Sequence, residues 1–480
     1  MALHSLRMGH FKGIVQNQCE SEMPSSCSPD ACNIDTSSGR LAVASGYVQE
    51  LLGIDYVTIP GRFCRFFRWQ QQERSVFLSC NSFGIRRYDR MLDEWISIHQ
   101  FPSSRVPRYF DFLLLRVGSD ERLLIACGIS QLLMWDGSSN SVTLFGSSAM
   151  LSDMPQNYVA NYMGRLFAAG NPDYPSRLYW SKAPGDTRTV EDWRPDPASP
   201  DVGGGHVEIG VGTDPITGIF AMSNQLLIFR RDTLYRLIGD RPSNYRILPV
   251  DAVFSQPVNS GCVLRGDRLF FLTQEGLAYY DGQTVQRPAG GGALCKLLKK
   301  LDFSLCTSAA CGDKLYFAAR ENDPLYNDIL IEYDVLRDSF MLRRGFSPVD
   351  LIGAHNVLYM QGGDGRVVRF DENSRTYGSN PIHAYWTTPR MDAGSKLSRK
   401  QLVELYLEAR GTGLNVMTRC DKESAEKEFL LPDTPEAAAV EIPLSGQGRQ
   451  LQLRFSNSGG QWFSIDDGVE LLCDVQRRPL

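Results

Sequence analysis

The chain has 480 residues, 42% hydrophobic and 22% charged, a balance that excludes an intrinsically disordered protein. Its 50 Lys and Arg against 55 Asp and Glu give a formal net charge of -5, which argues against a free-standing nucleic-acid binder. It contains no apolar run of the roughly 18 residues a membrane helix needs. Residues 1–15 lack the continuous apolar core of a secretory signal, so the expectation is a chain that folds in a reducing cytoplasm.

Residues 1–60 show no clear periodicity and read as an irregular N-terminal arm. Phe11-Lys-Gly-Ile14, Asn33-Ile-Asp35 and Gly39-Arg-Leu41 are short extended pieces separated by turn chemistry, rich in Ser, Pro, Asn and Asp between 21 and 38. Such a segment is either a docking arm or a strand that closes the first blade of the repeat array that follows. Cys19, Cys27 and Cys32 cluster here, and a local disulfide or metal site stays open. The other cysteines are scattered without the two-residue gap of zinc ribbons or redox motifs. Cys80, Cys127 and Cys262 lie in or beside apolar strands and read as reduced structural thiols.

From Arg62 onward one unit recurs: an apolar strand, a turn, a second strand, then an aromatic residue with Asp. Its clearest copy runs from Asp267 to Gly282, where Glu275-Gly276 marks a tight hairpin turn. With Leu78, Leu124, Leu166, Leu227, Phe270, Tyr316 and Leu358 as reference points, the spacings are 46, 42, 61, 43, 46 and 42. That period of pure strand signal predicts an all-β, six- or seven-bladed β-propeller over 61–378. Residues 93–98, around Trp95, predict an outer strand, and the apolar run 112–117 an inner one. The long spacing contains 181–206, whose prolines and Gly203-Gly-Gly205 cannot continue a ladder, so it reads as an inserted interaction loop. Leu294, Leu297, Leu298 and Leu301, with Lys296, Lys299 and Lys300 opposite, predict a short amphipathic helix between blades.

Over 379–480 the texture changes to short strands near 384–388, 402–408, 414–418, 429–431, 440–442, 451–455 and 469–475. These predict a C-terminal β-sandwich.

Signals for chemistry are weak. His4, His10, His99, His206, His355 and His383 are dispersed without ligand spacing. There is no nucleophile elbow, phosphate loop or dinucleotide fingerprint, and Ser464-Ile-Asp-Asp-Gly468 is a lone partial match to the box of sialidase-like propellers. The repeated aspartates after aromatic residues read as turn residues that bond their own backbone. Asp323 and Asp328, with Asn322 and Asn327, are weighed as a calcium loop against ordinary hairpin polarity, which is the default. The reading is therefore of a non-enzyme without catalytic, cofactor or metal residues.

Several stretches resemble virion proteins of tailed bacteriophages that join a β-propeller to a β-sandwich. They are the arm motifs named above, Arg177-Leu-Tyr-Trp-Ser181 with Glu191-Asp-Trp193, and Gly212-Thr-Asp-Pro-Ile-Thr-Gly218 with Asp232-Thr-Leu-Tyr-Arg-Leu-Ile-Gly239. Gln274-Glu-Gly276 with Asp281-Gly282, and Trp386-Thr-Thr-Pro-Arg-Met-Asp392 with Arg399-Lys400, complete the set. Length and layout are similar to the packaged-DNA stabilisation, or tail accessory, proteins of short-tailed phages. The resemblance implies a multi-copy structural component of the neck, tail or tail tip, assembled in the host bacterial cytoplasm and carried in the virion. It implies a homo-oligomeric ring with other tail and neck proteins as partners, and neither membrane contact nor sequence-specific nucleic-acid binding. The alternative is a host-receptor or glycan-binding module using Trp462 or Trp386. A propeller glycoside hydrolase is the third reading.

Overall fold

The seven apolar reference residues all fall on one kind of strand. In the computed structural model, each lies on the second strand of its sheet; among the described residues six of these sheets are four-stranded and antiparallel, and the seventh, which holds Leu358, has six strands. The structure describes residues 2–55, 64–71, 74–107, 109–117, 120–146, 154–185, 189–210, 214–251, 259–421, 423–428 and 436–476. Arg62, Gly212 and the strand expected at 429–431 lie outside them.

Second strands are sandwiched between neighbouring blades, so both faces are apolar and the sequence shows continuous runs rather than alternation. Gln225–Arg230 is buried at every position, as is Arg165–Ala169. First strands of neighbouring blades pack together, Asp111–Val117 against Tyr158–Tyr162 and Asp302–Cys311 against Pro348–Ala354. Pro348–Ala354 of blade seven in turn packs on Arg65–Gln71 of blade one, which closes the ring. Glu94–Gln100, with Trp95, is the outer strand of blade one, and Asp111–Val117 is the inner strand of blade two, as their patterns predict.

Inner-strand acids staple blades together. Fully buried Asp350 accepts from Arg65 Nε at 2.8 Å, from the Phe66 amide at 2.7 Å, and from the Thr307 hydroxyl, joining blades seven, one and six. Asp111 accepts from the Val159 amide at 3.0 Å and links blades two and three in the same way.

Blade seven takes its fourth strand from the N-terminal segment. Tyr47–Gln49 pairs with Val367–Phe370, so the closing strand completes the last blade rather than the first. A chain that borrows an early strand for its last blade ties the ring shut and covers a free edge.

The rest of the N-terminal segment, expected as an irregular arm, is irregular in its turns but pairs into the sandwich. Ala2–Met8 and Leu41–Val43 both lie against Phe463–Gln476, and Asp30–Cys32 pairs with Tyr385–Thr387. The sandwich consists of a sheet built on Arg399–Gly411 and Phe463–Gln476 and a five-stranded sheet that includes Leu414–Cys420 and Leu451–Asn457. Both sheets contain strands from the first 43 residues, so this domain is not confined to the C-terminal part of the chain.

Hydrophobic packing shows how the two domains join. Six interblade wedges form separate apolar clusters. The wedge between blades five and six, with Phe270, Leu315 and Phe317, instead merges with the sandwich core through Phe11, Ile14, Ala31 and Ile34 of the arm. The four predicted amphipathic leucines sit in this merged core, but only Leu297 and Leu298 lie on the single helical turn, Cys295–Leu298; Lys296, Lys299 and Lys300 are exposed. The apolar face is therefore covered by protein.

The expected hairpin forms, but its two-residue loop is Gln274-Glu275 rather than Glu275-Gly276, and Gly276 pairs with Thr273 as the first residue of the return strand. Its φ is +150°, and a Cβ there would stand 2.5 Å from the Gly291 carbonyl oxygen, whose turn packs over the hairpin.

Candidate functional site

The aspartates that recur after aromatic residues are backbone caps. Asp89 accepts from the amides of Met91 and Leu92, Asp136 from Ser138 and Ser139, Asp281 from Gln283 and Thr284, and Asp334 from Leu336 and Arg337. Each turns the chain from the third to the fourth strand of its blade, as an Asx turn does. In blades one and six the preceding tyrosine joins in. Tyr88 and Tyr333 donate to Asp93 and Asp338, residues with φ of 54° and 51°.

The Asp323 and Asp328 pair behaves the same way. Asp328 accepts from the amides of Glu321, Asn322 and Asp323, and Asp323 from Leu325 and Tyr326, so both carboxylates serve the hairpin. No group of three or more His, Cys, Asp or Glu among the described residues is arranged to hold a metal ion. Cys27 and Cys32 are buried and Cys19 is exposed; none is in a disulfide.

The 181–206 insertion lies between the third and fourth strands of blade three and is anchored from within. Arg165, 1% exposed, donates to the carbonyls of Ser181 at 2.7 Å and Gly203 at 3.0 Å, and to that of Asp201. Trp193 is buried in the wedge between blades two and three. Its outward residues, from Arg194 to Ser199, remain mostly exposed.

Sequence elements far apart converge at the seam between propeller and sandwich. At its floor is Asn33, with φ 54° and 3% exposure. Its amide donates to the carbonyls of Arg344 at 3.0 Å and His383 at 2.7 Å, and its oxygen accepts from the Arg344 amide at 2.9 Å and the Tyr377 hydroxyl at 3.1 Å. One side chain thus binds the outer strand of blade six to the start of the sandwich.

A separate cavity of about 790 Å³ opens between blades six and seven, the 35–45 segment and the sandwich. Lys314 and Arg343 stand on its propeller wall, and both pair with buried Glu332, Arg343 at 2.8 Å. Burial pushes the Glu332 carboxyl up, but Arg343 and Lys314 outweigh it and hold the group below the usual carboxylate range. Arg343 also donates to the Ser45 carbonyl at 3.0 Å, fastening the arm to blade six. On the sandwich wall Arg40, Arg375 and Arg410 gather near Trp462. The Arg375 guanidinium stands 4.4 Å from the indole centroid, and that of Arg410 5.8 Å.

The two tryptophans proposed for glycan stacking differ. Trp386 is 0% exposed and packs edge-on against Phe11 at 5.5 Å in the sandwich core, so it has no face for a sugar. Trp462 is half-buried, with cations already against its ring. The arginines around it were not singled out in the sequence, because 40, 375 and 410 carry no shared motif.

No family model matches this chain, and no curated protein does. Its fold is similar to several solved structures at low identity. Raptor from Chaetomium thermophilum matches with a TM-score of 0.46 and 11% identity over 69% of this chain and 29% of that one. BamB from Moraxella catarrhalis matches at 0.38 and 11%, over 78% and 98%. The extracellular domain of a putative one-component system from B. thetaiotaomicron matches at 0.46 and 11%, over 94% and 63%.

Proposed function

We propose that this chain is a structural virion protein of a tailed bacteriophage, a rigid assembly or adaptor element of the neck, tail or tail tip present in several copies. The observation that carries the reading is the merged core. Blades five and six, the arm and the sandwich share one apolar interior, with Asn33 and Arg343 fastening the seam. A receptor module on a hinge needs domains that move; a load-bearing spacer needs domains that cannot. The acids repeated along the blades support the same reading, because they cap turns rather than face one another across a cleft. In this role the propeller acts as a spacer, while exposed loops such as 194–199 and the outer faces of the sandwich make the subunit contacts.

Cryo-electron microscopy of intact particles from the source tests this directly. The expected result is a symmetric ring of this chain at the neck or tail. Particles without the chain, together with a purified protein that stays monomeric, would overturn the reading.

A further inference from the structure

We propose that the seam cavity binds a small anion, a phosphate ester or a carboxylate, on the sandwich wall formed by Arg40, Arg375, Arg410 and Trp462. Three guanidiniums there share one acid. Asp466 pairs with Arg410 at 3.2 Å and reaches Arg40 only at 4.0 Å. Among the described residues no carboxylate lies within ion-pair distance of Arg375, whose guanidinium stands over the Trp462 indole ring. Of the other acids that line the cavity, Asp35 holds the Ser37 amide, Asp334 its hairpin amides, Asp371 the Asn373 amide, and Asp313 pairs with Arg265, while Glu372 is exposed.

Like charges converge here only at an electrostatic cost, and a bound anion removes it. Consistent with that convergence of like charge, burial and the neighbouring Arg410 and Arg40 push the Arg375 pKa down. The planar guanidinium fork matches the paired oxygens of phosphate and carboxylate, and the indole face holds two of the forks in place. A volume of about 790 Å³ fits a small ligand rather than a polymer. The three arginines come from the arm, the propeller exit and the sandwich, so an occupant would touch all three parts of the chain. Binding here does not depend on whether the chain builds a particle.

The test is calorimetric titration of the full chain with pyrophosphate and with citrate, at low salt and at high salt. The expected result is saturable one-to-one binding of at least one probe, weakened by salt. Arg375→Ala should weaken it at least about tenfold, as loss of a charge-assisted pair does, and Arg375→Lys should weaken it less. Arg122→Ala, on the distant blade two, should leave it unchanged. Binding of pyrophosphate alone assigns a phosphate ester, and of citrate alone a carboxylate. If Arg375→Ala does not fold, Arg40→Ala on the exposed turn replaces it, with a weakening expected there too. Failure of both probes to saturate, or equal binding by the wild type and a folded variant, would overturn the proposal.

Discussion

Replacing Asn33 by alanine should loosen the whole seam. The side chain makes four buried hydrogen bonds, two as donor to Arg344 and His383 and two as acceptor from Arg344 and Tyr377. At about 1 kcal/mol each, their loss costs about 4 kcal/mol. The left-handed backbone, with φ at 54°, adds a second term, because alanine tolerates that region less well than asparagine by about 1 kcal/mol. For 480 residues the unfolding entropy is about 1 kcal/mol per degree if the chain melts as one unit, so the melting temperature should fall by about 5 °C. Asn33→Gly removes the same bonds without the backbone term and should recover about 1 °C of that loss. Asn33→Asp keeps the acceptors, loses both donors and places a charge in the seam. Differential scanning calorimetry gives the melting temperatures, and hydrogen exchange at 342–344 localises the effect. An alanine variant that melts within about 1 °C of wild type, with unchanged exchange there, would refute the seam as a mechanical joint.

Other positions make independent predictions. Asp350→Ala leaves Arg65 half-paired between blades and should destabilise by about 3–5 kcal/mol, read from the urea midpoint. Glu332 predicts acid sensitivity: its folded pKa lies below the ordinary 4.5, so its contribution is present above that value and is lost as pH falls through the folded pKa. Glu332→Gln should therefore flatten the fall in melting temperature as pH drops below 4.5, against a steep fall in wild type. Arg165→Ala should free the insertion from three carbonyls and speed proteolytic cleavage within 189–204, with little change in cleavage elsewhere. Deleting residues 2–43 removes strands from both sandwich sheets and should yield aggregated protein by size-exclusion chromatography, whereas deleting only 2–8 uncovers one edge of Phe463–Gln476.

The blades were legible because their second strands are buried on both faces, which writes an unbroken apolar run at Leu124 or Leu227 with no need to know the partner. The aspartates were legible too, because an Asx turn is local: Asp136 and Asp281 bond amides two and three residues ahead. What escaped was long-range. Tyr47–Gln49 is three residues long, and its role depends on Val367–Phe370, more than 300 residues away. Ala2–Met8 pairs with a strand more than 450 residues on. No periodicity announces such partners. Trp386 is a stacking candidate in the sequence, yet Phe11 from the arm packs edge-on against it in the core.

Those long-range pairings also decide what kind of object the chain is. The path begins in the sandwich, lays one strand in blade seven, runs round the ring from blade one to blade seven, and returns to the sandwich. Opening the propeller between blades seven and one therefore requires Tyr47–Gln49 to leave blade seven, and separating the sandwich requires breaking the arm's contacts with blade six. Neither motion is independent of the other. A force applied to the sandwich passes through Asn33 and the merged core into blades five and six, then around the ring through inner-strand staples such as Asp350. That continuity is why a change at Asn33 should register as a shift of the whole melting transition rather than the release of one loop.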